Sequence, residues 1–231
     1  MYSSYESIFY TVSLDLLHDY LNTQGLRINP DEVRISQLAL RAVIERGQAA
    51  IERSVLWYSQ DDMRLDQHLE NNEDNDACLK QIFMALDSAC ERTRPQSAAV
   101  YLKPAEPVSL VRLSQQGSAI EALLPLDETA AVHHLASRSA QTGWLNQADD
   151  VAYWLSLAEM QGEHNLRAGS QISLPIHLSN GQVLGVVHAE YPQANAIDEA
   201  ALAEWVALAL VLIEPLRTLA GITDADEEKE H

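Results

Sequence analysis

Apolar positions follow three regimes along the chain. They recur at helical spacing up to about residue 93, come in short continuous or alternating runs from 98 to 191, and return to helical spacing after 198. Ile8, Val12, Leu16 and Tyr20, with Phe9 and Leu17 beside them, predict a first helix over residues 5–24, ended by Gly25. Asn29-Pro30-Asp31-Glu32 then restarts a helix, with Asn29 as N-cap and acids in the first turn. Val33, Leu40, Ile44, Ile51, Val55, Tyr58, Leu65 and Leu69 approximate a 3-4 repeat, interrupted at Gln37, Gly47 and Asp62. The repeat predicts either one helix over 30–70, with coiled-coil and dimerisation character, or two helices broken near 59–62. Residues 71–76 are polar and acidic and read as a linker between an N-terminal helical region (1–70) and a second domain (77–217). Leu79, Ile82, Phe83, Leu86 and Cys90 mark one further helix face, which Pro95 ends.

The middle of the chain predicts strands at 98–102, 108–113 and 120–126, with turns at Pro104/Pro107 and at 115–117. A helix over 128–141 follows, capped by Asp127 and stopped by Gly143. A short strand at 144–146 and a helical or irregular stretch at 150–163 lead to two clearer strands, 171–178 and 182–191. Between these lies Ser179-Asn180-Gly181, the strongest short-range hairpin signal in the chain. Ala201, Leu202, Trp205, Val206, Ala209, Leu212 and Ile213 give a last helix over 198–214, disrupted by Pro215. Residues 218–231 read as an acidic, disordered tail. The order predicts an α+β fold, an antiparallel sheet with helices on both faces, preceded by an N-terminal helical segment.

A two-residue turn at Asn180-Gly181 sets the hairpin register. Ser179 then faces Gln182, Ser173 faces His188 and Gln171 faces Glu190. Alternation sorts the side chains. Ile172, Leu174, Ile176, Leu178, Val183, Val187, Ala189 and Tyr191 share a face for helices to cover. Gln171, Ser173, Pro175, His177, Leu184, Val186, His188 and Glu190 share the other. A slip of one residue would exchange the two faces.

Charge narrows the function. The 231 residues carry 15 Lys+Arg against 34 Asp+Glu, a formal net charge of -19. Neither nucleic-acid backbones nor anionic membrane surfaces suit such a chain. The start lacks a basic segment followed by an apolar run, and the longest apolar stretch, 200–213, contains Glu204 and is too short to insert in a membrane. Cys78 and Cys90 fall on one predicted helix, ~18 Å apart, beyond disulfide reach. Both read as reduced and buried, and a reducing, cytoplasmic setting is expected. His133 and His134 diverge on their helix and read as surface residues. His177 and His188 lie ~13 Å apart along the hairpin, too far for one metal. Asp61-Asp62 and Asp149-Asp150 read as helix caps. No nucleophile elbow, phosphate loop, dinucleotide fingerprint or zinc spacing occurs.

From about residue 76 to 217 the chain resembles a GAF domain. The resemblance rests on Leu79, Ile82 and Phe83 with the strand Ser97-Ala-Ala-Val-Tyr-Leu102. It continues through Ala131-Val-His-His-Leu-Ala-Ser137, Gln141-Thr-Gly-Trp-Leu-Asn146 and Asp149-Asp-Val151. Ser170-Gln-Ile-Ser-Leu-Pro-Ile176, Asn180-Gly181, Val183-Leu-Gly-Val-Val187 and the closing amphipathic helix complete it. The resemblance implies a small-molecule sensor, often dimeric through terminal helices, with one sheet face on helices and the other roofed over a ligand cavity. Gln171, Ser173, His188 and Glu190 would point into that cavity, and Trp144, Tyr153, Trp154, His164 and Asn165 would roof it. Taken by themselves, the same polar positions also fit a solvated sheet face or a structural hydrogen-bond network. The branch that reduces free methionine sulfoxide uses pocket cysteines, and this chain has none after Cys90. The same absence removes a bilin anchor, and the Asn-Lys-Phe-Asp-Glu motif of the cyclic-nucleotide class does not occur. No cofactor is assigned. The expected function is a cytoplasmic sensory or regulatory module, homodimeric and signalling through its helices to a partner protein. The alternative is a ligand-free interaction scaffold, and an enzyme ranks third. A sensor calls for a polar cavity of about 300 Å³ or more. A scaffold calls for a filled core and an exposed apolar patch.

Overall fold

The computed structural model describes residues 15–47, 50–60, 63–106 and 108–222. Residues 5–14 of the first expected helix, the Asp61-Asp62 cap, Pro107 and the tail over 223–231 lie outside the described residues. Helix α1 covers 15–23 within the described part, and α2 spans Pro30–Arg46. Asn29 caps α2, its side-chain oxygen accepting from the Asp31 N–H at 3.0 Å. The single helix over 30–70 does not form, and the chain does not wait until 59–62 to break. It stops at Gly47, where a Cβ would lie 1.9 Å from the Met84 side chain. Beyond come a short helix α3 (Arg53–Leu56) and a small hairpin of β1 (Ser59–Gln60) and β2 (Met63–Arg64). Of the repeat positions over 51–69, Leu65 and Leu69 are buried in the main core, Ile51 and Tyr58 pack partly buried against it, and Val55 is 47% exposed, so the spacing marks no single helix face.

The acidic stretch before residue 77 is also helical. Helix α4 runs Glu73–Thr93, capped by Asn72, whose side chain accepts from Asn75 N–H at 2.8 Å. Glu73, Asp74 and Asp76 fill its first turn, where carboxylates favour the exposed N–H groups. Their lack of apolar character marks a helix start.

Six strands form one antiparallel sheet in the order β5-β4-β3-β8-β7-β6. They are β3 (Ser97–Leu102), β4 (Ser109–Gly117), β5 (Leu123–Pro125), β6 (Asn146–Ala148), β7 (Ser170–His177) and β8 (Val183–Tyr191). β4 continues through the turn expected at 115–117, which instead lies beyond the left-handed Gly117. β6 begins two residues later than expected, after the left-handed Gly143 that ends the preceding helix.

The β7–β8 register is as expected along most of its length: Gln171 faces Glu190 and Ser173 faces His188. The turn itself differs. Leu178 N–H donates to Gln182 O and Gly181 N–H to Leu178 O, both at 2.9 Å, with Gly181 at φ +87°. The loop therefore has three residues, with glycine in the left-handed position. A bulge at Leu184 restores the register by Gly185, which pairs with Ile176. Leu184 consequently joins the helix-covered core instead of the polar face.

That core fills one sheet face. It contains Ile172, Leu174, Val187 and Ala189 of the hairpin, Leu79, Ile82 and Leu86 of α4, and Trp205 and Leu208 of α8 (Glu199–Val211). Helix α8 is buried nearly all round, because α2 covers the side away from the sheet. The disruption expected from Pro215 is present and lies three residues before it, because a proline cannot bond to, and clashes with, the carbonyl four positions earlier. The chain breaks at Leu212 and restarts as α9 (Ile213–Leu219), with the proline in its first turn and Leu219 still packed in the core. α1 docks on the same body. Tyr20 donates its hydroxyl to Pro175 O at 2.9 Å, and Gln24 brackets Gly143 O and Leu145 N. The opposite face carries α5 (Glu128–His133) and α6 (Leu135–Thr142), followed by α7 (Val151–Ser156) and a 3-10 turn at Glu163–Arg167.

Candidate functional site

The cavity on the second face is built by six segments. β7 and β8 supply Gln171, His188 and Glu190; β3 supplies Tyr101; the segment before β5 supplies Glu121. The α5–α6 junction brings His134, and the 3-10 turn brings His164, Asn165 and Arg167. The junction explains His134. One continuous helix was expected, yet His134 adopts extended backbone (φ -128°, ψ 118°) and splits it. Its ring meets His164 at 4.7 Å instead of facing solvent.

Glu190 is the centre of the polar network, with 1% of its side chain exposed. Arg167 Nε donates to its two oxygens at 3.0 and 2.9 Å, and Nη2 adds a bond of 2.8 Å. The same guanidinium grips Glu121 at 2.9 and 2.8 Å. Ser97 Oγ donates to Glu190 at 3.0 Å, and His188 Nε2 stands 3.3 Å from it. Burial pushes the Glu190 carboxyl up, but His188 and Arg167 outweigh it and hold it down at about 2. Glu121 is held at about 2 in the same way, Arg167 overcoming partial burial. Burial and the neighbouring His164 push His134 down to about 4.

Ser173 Oγ lies 2.7 Å from His188 Nδ1, completing a chain from Ser173 through His188 to Glu190. The order is that of nucleophile, base and carboxylate. Ser173 is fully buried, however, and Arg167 already engages the carboxylate. These bonds tie the two strands together.

Of the nine residues expected at the site, Gln171, His188, Glu190, His164 and Asn165 line the cavity, and Ser173 supports it through His188. Asn165 holds the roof by donating to Gln161 O at 2.7 Å and His133 O at 2.9 Å. The aromatic roof needs correction. Trp144 and Tyr153 are 54% and 59% exposed and do not line the cavity. In α7, Val151, Trp154 and Leu155 take the inward helical positions, which leaves Tyr153 outside. Trp154 packs in a small satellite cluster with Arg138 over its ring at 5.7 Å. Sequence reasoning missed Arg167, Glu121 and His134. A basic residue two positions after Asn165 was the one available signal for Arg167.

The groups close on one another. The space between them is ≈ 10 Å³, room for about one water molecule. Among the described residues no cluster of three or more His, Cys, Asp or Glu could hold a metal. Cys78 and Cys90 lie on α4, within the core on the other sheet face. Burial pushes the Cys90 thiol up to about 12 and also raises Cys78, which leaves both weak nucleophiles. Among the described residues no helix is long and apolar enough to cross a membrane.

No protein-family model matches the chain, and no curated protein matches its sequence. Solved structures do match. The GAF domain of an Acinetobacter phosphoenolpyruvate-protein phosphotransferase aligns over 82% of this chain and 98% of its own, at 14% identity and a TM-score of 0.55. The GAF domain region of a Geobacter sulfurreducens protein aligns over 63% of this chain and 96% of its own, at 13% identity and a TM-score of 0.53. A type II free methionine-R-sulfoxide reductase from Thermoplasma acidophilum aligns over 64% and 97%, at 13% identity and a TM-score of 0.53. At such identities the likeness concerns the backbone, and neighbours of both the domain and the enzyme kind share it. The chain has a GAF-like fold.

Proposed function

We propose that this chain is a non-catalytic regulatory module of GAF-like fold that works through protein association, its inner cavity closed by its own side chains. The observation that carries this reading is the closure itself. Arg167 joins Glu121 to Glu190 across a space of ≈ 10 Å³, whereas small-molecule sites usually enclose about 300 Å³ or more. Two apolar surfaces support association. Val33, Gln37 and Leu40 face inward from α2, while Ile35 and Leu38 stand out from it, 67% and 52% exposed. Tyr153, Leu157 and Leu166 are exposed on the roof, beside a groove of ≈ 410 Å³ that Leu155 and Met160 also line. In this reading α2 self-associates into a homodimer and the roof receives a downstream partner.

Sedimentation of the wild type and of an I35E/L38E variant tests it. A wild-type dimer and a folded, monomeric variant support the reading; a wild-type monomer at all concentrations defeats it.

Ligand sensing is a second reading, favoured by one observation. Gln171 Oε1 is buried at the cavity without a hydrogen-bond partner, and Glu121 is its most accessible charged wall, with 35% of its side chain exposed. A ligand carboxylate taking Glu121's place on Arg167 would open the site. That reading predicts a co-purifying or added small acid whose affinity falls at least tenfold in R167M.

A further inference from the structure

Arg112 is 3% exposed, yet no carboxylate pairs with it among the described residues. Its contacts are neutral. Nη1 donates to Gln115 Oε1 at 2.5 Å and to Ile120 O, and Nη2 donates to Gln60 Oε1 at 2.5 Å. The guanidinium lies 4.7 Å from the centre of the Tyr58 ring. Its Nε is buried and meets no acceptor. Two residues on, the Ser114 hydroxyl is likewise buried and unpartnered. Both residues line a groove of ≈ 340 Å³ at the sheet margin, with Tyr58 and Gln60 on one side and Phe83 of α4 on another. This groove is separate from the cavity under the β7–β8 hairpin and shares no lining residue with it.

A buried cation without a counter-charge is expensive, and an unmade hydrogen bond on the same group adds to the cost. Five guanidinium donors here meet three neutral acceptors, and the Nε edge is left over. That edge is one on which arginine receives carboxylate or phosphate oxygens. We propose that the groove binds the oxyanion group of a small molecule, a carboxylate or a phosphate, between Arg112 Nε and the Ser114 hydroxyl. Gln60 and Tyr58 cover the guanidinium. The anion takes over the bond that the Gln60 amide makes, since a charge-assisted bond is roughly twice as strong as a neutral one. The net charge of -19 repels anions from most of the surface, which makes binding depend on this one residue.

Inorganic phosphate and acetate, titrated separately into the full chain at constant ionic strength, test the proposal through the Arg112 ¹⁵Nε–¹Hε resonance. A saturable shift with one of them identifies the oxyanion class, and S114A should weaken it about tenfold. R112M should lose the accompanying rise in Tm; S114A keeps the test valid if R112M does not fold. No saturable shift with either anion overturns the proposal, as does equal binding by S114A. Asp61 and Asp62 follow Gln60 in the chain. A destabilised D61N/D62N variant, with no anion response in the wild type, would assign the counter-charge to the chain itself and overturn the site.

Discussion

Arg167 holds Glu190 from the side: its Nε reaches both carboxylate oxygens, at 3.0 and 2.9 Å, while its outer nitrogens hold Glu121. One guanidinium therefore ties the roof to a central strand and to the segment ahead of β5. Substituting Arg167 with alanine takes the guanidinium from the buried Glu190 carboxylate and leaves it only Ser97 and His188. The expected cost is about 3–5 kcal/mol, measured by urea unfolding. E121Q removes only the more exposed arm and should cost about 1 kcal/mol.

Acid should weaken the fold in two stages. His134 is held at about 4, below its ordinary 6.5, so the unfolded chain takes up that proton first. Its contribution is present above pH 6.5 and lost as pH falls toward 4. Glu121 and Glu190 are held at about 2, below 4.5. Their contribution is present above pH 4.5 and lost as pH falls toward 2. Tm should fall from pH 7 to 4 and then further. H134F should flatten the first stage, and R167A the second.

Gly185 has no room for a side chain. A Cβ there would sit 2.1 Å from the Tyr101 carbonyl oxygen and 2.6 Å from Leu216. The backbone oxygen belongs to the neighbouring central strand and cannot yield cheaply. G185A should cost about 3 kcal/mol, seen as a lower urea midpoint with an unchanged slope.

The hairpin was readable because its information is local. Alternation and Asn180-Gly181 fix which residues face each other, and only the three-residue loop with its compensating bulge at Leu184 escaped. The spacing over 30–70 does not report one helix, because beyond Gly47 its members reach the core one by one, as Leu65 and Leu69 do, or stay exposed, as Val55 does. The cavity was half legible. Gln171, His188 and Glu190 follow from strand alternation. Glu121, Arg167 and Glu190 have no common spacing, and only the folded sheet brings them together. The backbone break at His134 likewise leaves no periodic trace. Trp144 and Tyr153 are the roof residues that the resemblance places wrongly: the phase of α7 turns Tyr153 to solvent, and Trp144 stands exposed in the loop between Gly143 and β6.

The roof surface should be dispensable for folding. L157D and L166D replace side chains that are 54% and 63% exposed, and each should change stability by less than about 0.5 kcal/mol. A larger loss would mean that the roof packs as part of the core and does not serve as a free face.

The central claim is that the cavity under the β7–β8 hairpin is closed by the chain's own charges. Native mass spectrometry of gently purified protein tests it most directly. The account predicts the mass of the polypeptide alone, in whole-number oligomers. A mass excess of a few hundred daltons that disappears on denaturation, and is absent from R167M, would contradict it and return the site to ligand sensing.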